Sequence, residues 1–235
     1  ADYQFVHSDA DGKVDQQIIK GAGAGDPDDL DNPTMGDSEG TFAYAYSANE
    51  SPSPVHTNVN EWRTSTEEAA PGGTTTTVYA NYAGELLATA TEGLIHPDAS
   101  ATSFWYTHNT YDSDGRLTQS LNPSAVLEFS YTNPELATAN QVDGLVTHYD
   151  YYDVGEDAGL GQLAAGAALV GYLQGVSISQ GENGTKIKQL ALKYAEFDGY
   201  YVSERTVYTD NNGAVPVTTK YRWRTDETVP GEGRT

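Results

Sequence analysis

The sequence predicts an all-β chain built from antiparallel hairpins, and three observations point to it. Seventeen Tyr and 24 Gly stand beside abundant Thr and Val, with one Met and no Cys. Aromatic and β-branched side chains suit a pleated surface, and glycine suits the turns between strands. Apolar residues recur at period two, most cleanly at Phe42, Tyr44 and Tyr46 with Ala43 and Ala45 between them. Turn signals punctuate these runs at Asn81-Tyr82-Ala83-Gly84, Asp112-Ser113-Asp114-Gly115 and Asp210-Asn211-Asn212-Gly213. In such turns Asp or Asn bonds its own backbone, and Gly takes φ > 0 without a steric penalty.

The elements follow in chain order. Tyr3, Phe5 and His7 alternate, Asp9-Ala10-Asp11-Gly12 turns, and a return strand runs to Ile18 and Ile19. Residues 24–40 form a loop with six acids and no base. A strand centred on Tyr44 comes next. Residues 47–75 are rich in Ser, Pro and Thr and read as a connecting excursion with a short strand at Val59 to Arg63. Strands are expected at Thr75 to Tyr82, Leu94 to Pro97 and Thr102 to Tyr111. After Leu117, the stretch from Leu121 to Tyr131 crosses a turn at Pro123 and carries Leu127, Phe129 and Tyr131 on one face. Residues 142–152 read as a further hairpin edge. Residues 158–173 are rich in Ala, Gly and Leu and fit a short helix and a small-residue strand or packed loop equally, since each of Gly161, Gly166 and Gly171 weakens a helix by about 1 kcal/mol. Gly171 to Ser179, Thr185 to Phe197, Tyr200 to Tyr208 and Val215 to Arg224 complete the strands. Composition divides the chain into residues 1–75, with acidic and Ser/Pro/Thr-rich insertions, and residues 76–235, which carry the better hairpins.

Charge bounds the partners. Twelve Lys plus Arg against 34 Asp plus Glu leave a net charge of −22. Nucleic acid is excluded as a partner, because phosphate binding is driven by cationic side chains. An anionic membrane surface is disfavoured for the same reason, and no apolar run approaches the roughly 20 residues that span a bilayer. The missing Cys removes disulfides and thiolate metal sites. The first residue is Ala1 and the last segment, Gly231-Glu232-Gly233-Arg234-Thr235, has no terminating element; we read the chain as a mature or excised piece of something longer. High Asp, Thr and Tyr with few Lys resembles the composition of secreted bacterial surface proteins.

The segment Tyr111-Asp112-Ser113-Asp114-Gly115-Arg116-Leu117 resembles the YD repeat of the Rhs and teneurin type, in which Tyr-Asp-x-x-Gly-Arg-Leu opens each hairpin unit. Tyr111, Asp112, Gly115, Arg116 and Leu117 match that motif, and Asp114 stands at one of its open positions in the same turn; Gly84 and Gly213 mark weaker copies of the turn, and Gly12 another. Only the 31 residues between Gly84 and Gly115 approach the length of one hairpin, so the repeat is eroded by insertions. The resemblance is strongest over residues 76–152 and extends over 171–224. It implies hairpins joined into a twisted, curved open sheet, one that neighbouring copies could complete, because a closed shell needs more hairpins than 235 residues supply. It implies a non-catalytic structural module of an extracellular bacterial protein, self-associating into a fibre or surface layer. The alternatives are a shell segment that encloses or presents another polypeptide, as in Rhs proteins, and a carbohydrate-binding adhesin. The Asp-Pro-x-Gly self-cleavage motif of Rhs proteins is not matched, since Asp26-Pro27 is followed by Asp28-Asp29.

Asp26, Asp28, Asp29, Asp31, Asp37 and Glu39 make the acidic loop the best setting for Ca2+, against the alternative of a solvated charged excursion. The Asp-x-Asp-Gly turns at 9–12 and 112–115 lack the closing Glu of a calcium loop: its place falls on Lys20 and Pro123. His7, His56, His96, His108 and His148 show no metal-binding spacing. No phosphate-binding loop and no Gly-x-Ser-x-Gly elbow occurs. Trp105, Tyr106, Tyr221 and Trp223 are the candidates for stacking on a sugar ring or a partner, with core packing as the competing role. Lys220, Arg222 and Arg224 share one strand face and could meet the acidic loop of another copy, a head-to-tail contact that does not close. Asn49-Glu50-Ser51 and Asn183-Gly184-Thr185 match the glycosylation sequon.

Overall fold

A computed structural model describes residues 2–7, 12–20, 38–53, 58–94, 102–153, 169–196 and 200–221. These residues are all-β. The strands are β1 (Asp2–His7), β2 (Val14–Lys20), β3 (Ser38–Ala48), β4 (Thr64–Ala69), β5 (Thr75–Ala80), β6 (Leu86–Leu94), β7 (Thr102–Tyr111) and β8 (Leu117–Leu121). They continue as β9 (Val126–Glu128), β10 (Thr138–Ala139), β11 (Leu145–Tyr151), β12 (Leu173–Gln180), β13 (Ile187–Glu196), β14 (Tyr200–Tyr208) and β15 (Pro216–Lys220). Thirteen of them form one sheet in the order β1-β2-β3-β4-β5-β6-β7-β8-β11-β12-β13-β14-β15, and β9 pairs with β10 apart from it. Sheet order follows chain order; tight turns join β4 to β5, β5 to β6 and β7 to β8, while longer segments join β3 to β4 and β8 to β11.

The sequence expectation of antiparallel hairpins is met, with two corrections. The strand of the 47–75 excursion is β4 at Thr64–Ala69 rather than Val59 to Arg63, where the chain turns. Thr64-Ser65-Thr66-Glu67-Glu68 carries no apolar alternation, so only its pairing with β3 and β5 makes it a strand. Of the strand expected at Leu94 to Pro97, Leu94 is the last residue of β6, and residues 95–97 lie outside the described residues. The run from Leu121 to Tyr131 is broken: β8 stops at Leu121, Pro123–Ala125 forms a 3-10 turn, and β9 belongs to the small sheet. Pro123 cannot donate to a ladder, which ends the strand there.

The chain separates into two compact units. One comprises residues 1–146 and 180–184, the other 147–179 and 185–235. The compositional change at 75/76 lies inside the first unit, within β5, which pairs with β4. In the first unit, one core gathers Tyr79, Ala88 and Ala90 beneath Trp62, Tyr106 and Phe129. A second joins Leu121, Ala125 and Val146 with Val126 and Ala139. In the second unit, Tyr152, Leu169 and Tyr194 pack with Leu192, Tyr200 and Val202. The first and third cores are built on tyrosine, and each buried ring sends its hydroxyl to a backbone carbonyl: Tyr79 to Tyr131, Tyr152 to Leu192, and Tyr194 to Leu173, at 3.1, 2.8 and 2.9 Å. The ring supplies apolar area while the polar tip stays satisfied.

Candidate functional site

The hairpin turns are the first features that the sequence singled out. At 112–116 the Asp112 N–H donates to the Arg116 carbonyl at 2.9 Å, and the Gly115 N–H donates to the Asp112 carbonyl at 3.1 Å. Asp112 Oδ1 accepts from the N–H groups of Asp114 and Arg116, at 2.9 and 3.0 Å. Gly115 takes a φ of 80°, the conformation the turn requires. The turn at 81–85 repeats this frame with Asn81 in place of Asp112. Both hairpins carry a bulge at the same place: Ala80 pairs with Leu86 and Tyr79 with Ala88, just as Tyr111 pairs with Leu117 and Thr110 with Gln119. The frame recurs a third time at Ala70–Thr74, where Gly73 has a φ of 80° and no side chain caps the turn. Around Gly213, Asp210 Oδ1 accepts from Ala214 and Val215.

Arg116 decides what the Asp112 turn can do. Its Nε lies 2.6 Å from Asp112 Oδ2 and a guanidinium nitrogen lies 3.0 Å from Asp114 Oδ2. Partial burial alone would push the Asp112 carboxyl up. Hydrogen bonds from the backbone and side chain of Arg116 and from Asp114 outweigh it and hold the group below the usual carboxylate range. The turn therefore supplies its own cation. Among the described residues no group of three His, Asp or Glu is placed to hold a metal ion. Asp26, Asp28, Asp29, Asp31 and Asp37 lie outside the described residues, and Glu39 is described only by its place in β3.

The expected aromatic contacts separate. Trp105 and Tyr106 are neighbours in β7 and so point to opposite faces of the sheet. Tyr106 stacks on Phe129 with ring centroids 4.4 Å apart and planes 8° from parallel. Trp62 meets Tyr79 edge-on at 5.6 Å, and Tyr131 meets Tyr106 edge-on at 6.1 Å. Tyr106 thus belongs to the covered face, with Thr77, Tyr79, Ala88, Ala90 and His108 buried along it. Burial pushes the Tyr79 hydroxyl up to about 12, with the charge of Glu67 adding to it. The Tyr131 hydroxyl is also raised, by burial and then by its hydrogen bond with Tyr106. Of the run Leu127, Phe129 and Tyr131, only Phe129 is well packed; Leu127 is 62% exposed. Tyr221 is exposed just after β15, and Trp223 lies outside the described residues.

The opposite face of the same strands is open. Register places Tyr46, Thr66, Val78, Thr89 and Thr107 in one row across β3 to β7. The next row holds Tyr44, Glu68, Thr76, Thr91 and Trp105. Hydroxyls touch between strands, Thr76 with Thr91 at 3.2 Å and Thr89 with Thr107 at 2.5 Å. The Trp105 ring lies beside Gly93. A Cβ there would stand 3.1 Å from Thr74 Oγ1 and 3.6 Å from Trp105 Cζ3. Trp105 remains 42% exposed.

Beneath the covered face lies a group of ionisable residues that the sequence did not single out as a unit. Glu61 accepts from the Ser53 N–H at 2.6 Å and stands 3.4 Å from an Arg63 guanidinium nitrogen. Glu135 has one buried carboxylate oxygen with no partner among the described residues. Burial raises its carboxyl, and the Glu61 charge adds to the rise. His108 is buried with its Nε2 unpartnered, and desolvation lowers it to about 4. Glu61 and Glu135 are 74 residues apart in the sequence, and no local spacing signals that the charge of one acts on the other. His148 Nε2 and Ser179 Oγ form a buried pair at 2.9 Å in the other unit.

No family model matches this chain. No curated protein matches it either. What the molecule presents for contact includes its two sheet edges. Among the described residues β1 pairs with β2 alone, and it exposes Tyr3 and Phe5 at 59% and 52%. Among the described residues β15 pairs with β14 alone, and every residue of it is exposed. Lys220, expected to reach another copy, has its Nζ 3.7 Å from Glu204 of its own chain, which also meets Lys193 at 3.1 Å.

Proposed function

We propose that this protein is a non-catalytic structural module of an extracellular bacterial protein, and that copies associate through their strand edges into a fibre or surface layer. The observation that supports this reading is the pair of terminal strands, β1 and β15, each hydrogen-bonded on one side among the described residues. An edge strand presents a row of N–H and C=O groups that another chain can complete. Exposed Phe5 and Val217, at 52% and 56%, add apolar contact there.

Electron microscopy of the native protein, with sedimentation across a concentration series, tests the reading. Filaments or sheets that lengthen with concentration are expected. The Phe5→Lys and Val217→Lys double variant should shorten them at least tenfold, since charge on an edge strand opposes pairing. Discrete particles at every concentration would overturn the reading.

A further inference from the structure

We propose that the open face of β3 to β7 binds a single chain of a neutral, soluble polysaccharide, laid across the strands along the two rows and stacked at one end on Trp105. Three observations carry this.

The first is chemistry. Of the ten side chains in the two rows, five are Thr, three are aromatic, one is Val and one is Glu68. Each Thr pair uses one hydroxyl hydrogen between its members and leaves a donor and several lone pairs for a ligand. Sugar hydroxyls match that inventory, and their C–H faces match an aromatic ring and Val78.

The second is charge. The ten positions carry one acid, Glu68, and no base, with the Lys13 ammonium 4.9 Å from the Tyr46 ring centroid beside them, on a chain of net charge −22. A polyanion is repelled by the rest of the molecule, and a polycation finds too few acids here. A neutral ligand remains.

The third is geometry. Tyr44 and Trp105 end their row on β3 and β7, four strand spacings apart, or about 19 Å. That length suits several consecutive sugars. The pairings of β3 with β4, β4 with β5 and β6 with β7 show no register shift, so the rows are unbroken there. Sheets twist by about 20–25° per strand. A flat crystalline surface cannot follow that twist, whereas one flexible chain can. The ring of Trp105 already lies beside Gly93, so little ordering is required on binding. A second copy fits the face poorly, because it would bury Thr hydroxyls against hydroxyls with little apolar area gained.

The test uses the full chain in gels containing laminarin, xyloglucan, galactomannan or dextran, with alginate as the anionic comparison, alongside Trp fluorescence in solution. At least one neutral polymer should retard the protein, and alginate should not. Trp105→Ala should weaken that binding at least tenfold, with Trp105→Tyr restoring part of it. Phe104→Ala, an exposed ring on the other face, should leave it unchanged, and circular dichroism checks that each variant keeps its strands. Retardation by none of the four neutral polymers overturns the proposal. So does binding that survives Trp105→Ala, or a dimer blocked by Thr66→Lys that accounts for the face. The proposal is independent of edge association, since a chain that remains monomeric can still bind.

Discussion

Along β5, Thr77 and Tyr79 are 8% and 3% exposed, while Val78 between them is 37% exposed. Along β6, Ala88 and Ala90 are buried and Thr89 and Thr91 are not. The two faces share one backbone, one register and one set of turns. They differ in what lies above them. The covered face meets Trp62, Phe129 and Tyr131, which arrive from segments outside these strands. The open face meets no such cover among the described residues. The difference teaches that alternation within a strand divides residues into two sets, and that the connections decide which set becomes core.

The largest expected effect breaks the covered side. Tyr79→Ala removes a buried ring and leaves the Tyr131 carbonyl without its donor, and should destabilise the chain by about 3–5 kcal/mol. Val78→Ala, one residue away, should change stability by less than about 0.5 kcal/mol. Urea melts of the two variants measure the contrast, and equal losses would mean that the faces are not distinct.

The next effect sharpens the same contrast through pH. His108, on the covered face, is held neutral, and its folded value of about 4 lies below the ordinary 6.5. Between these values the unfolded chain binds the proton and the folded chain does not, so stability falls as pH drops from about 6.5 toward 4. The loss should approach about 3 kcal/mol. Glu135 runs the other way: its raised carboxyl takes up a proton more readily in the folded chain, so acidification relieves its burial. His108→Leu should flatten the acid limb of a stability–pH profile. An unchanged profile would remove His108 as its source.

The smallest effect compares the two matched turns. Asn81 is 2% exposed, and its side chain accepts from Ala83 and Glu85 while donating to the Val59 carbonyl at 2.8 Å. Asp112 makes the equivalent two N–H contacts in a more exposed turn. Asn81→Ala should cost about 2 kcal/mol and Asp112→Ala about 1 kcal/mol, because an unsatisfied group is penalised more where water cannot reach it. Thermal melts of both variants would show the ranking, and a reversed order would mean that the Arg116 ion pairs outweigh burial.

Much of the fold was legible before any coordinates. The alternation of Phe42, Tyr44 and Tyr46 marked β3, and the strand expected at Tyr200 to Tyr208 is β14 with the same ends. The turns at Gly84 and Gly115 were legible because Asx and Gly requirements are local, set by φ and by side-chain reach. β4 was not, because Thr64 to Glu68 forms a strand through partners on both sides rather than through its own pattern. The electrostatic influence of Glu61 on Glu135 was not legible either, because it depends on how the segment after Pro123 folds back.

What the sequence by itself determined is therefore what acts within a few residues: the strand periods, the Gly-dependent turns, the antiparallel order of neighbours and the acidic charge. Only the tertiary structure decided that Trp105 faces out while Tyr106 faces a stacked Phe129. The physical reason is that period two assigns adjacent side chains to opposite faces without naming the buried one. That assignment is made by long-range packing, where the segment carrying Phe129 and Tyr131 covers one face of β5 to β7 and leaves the threonine rows of the other in contact with solvent.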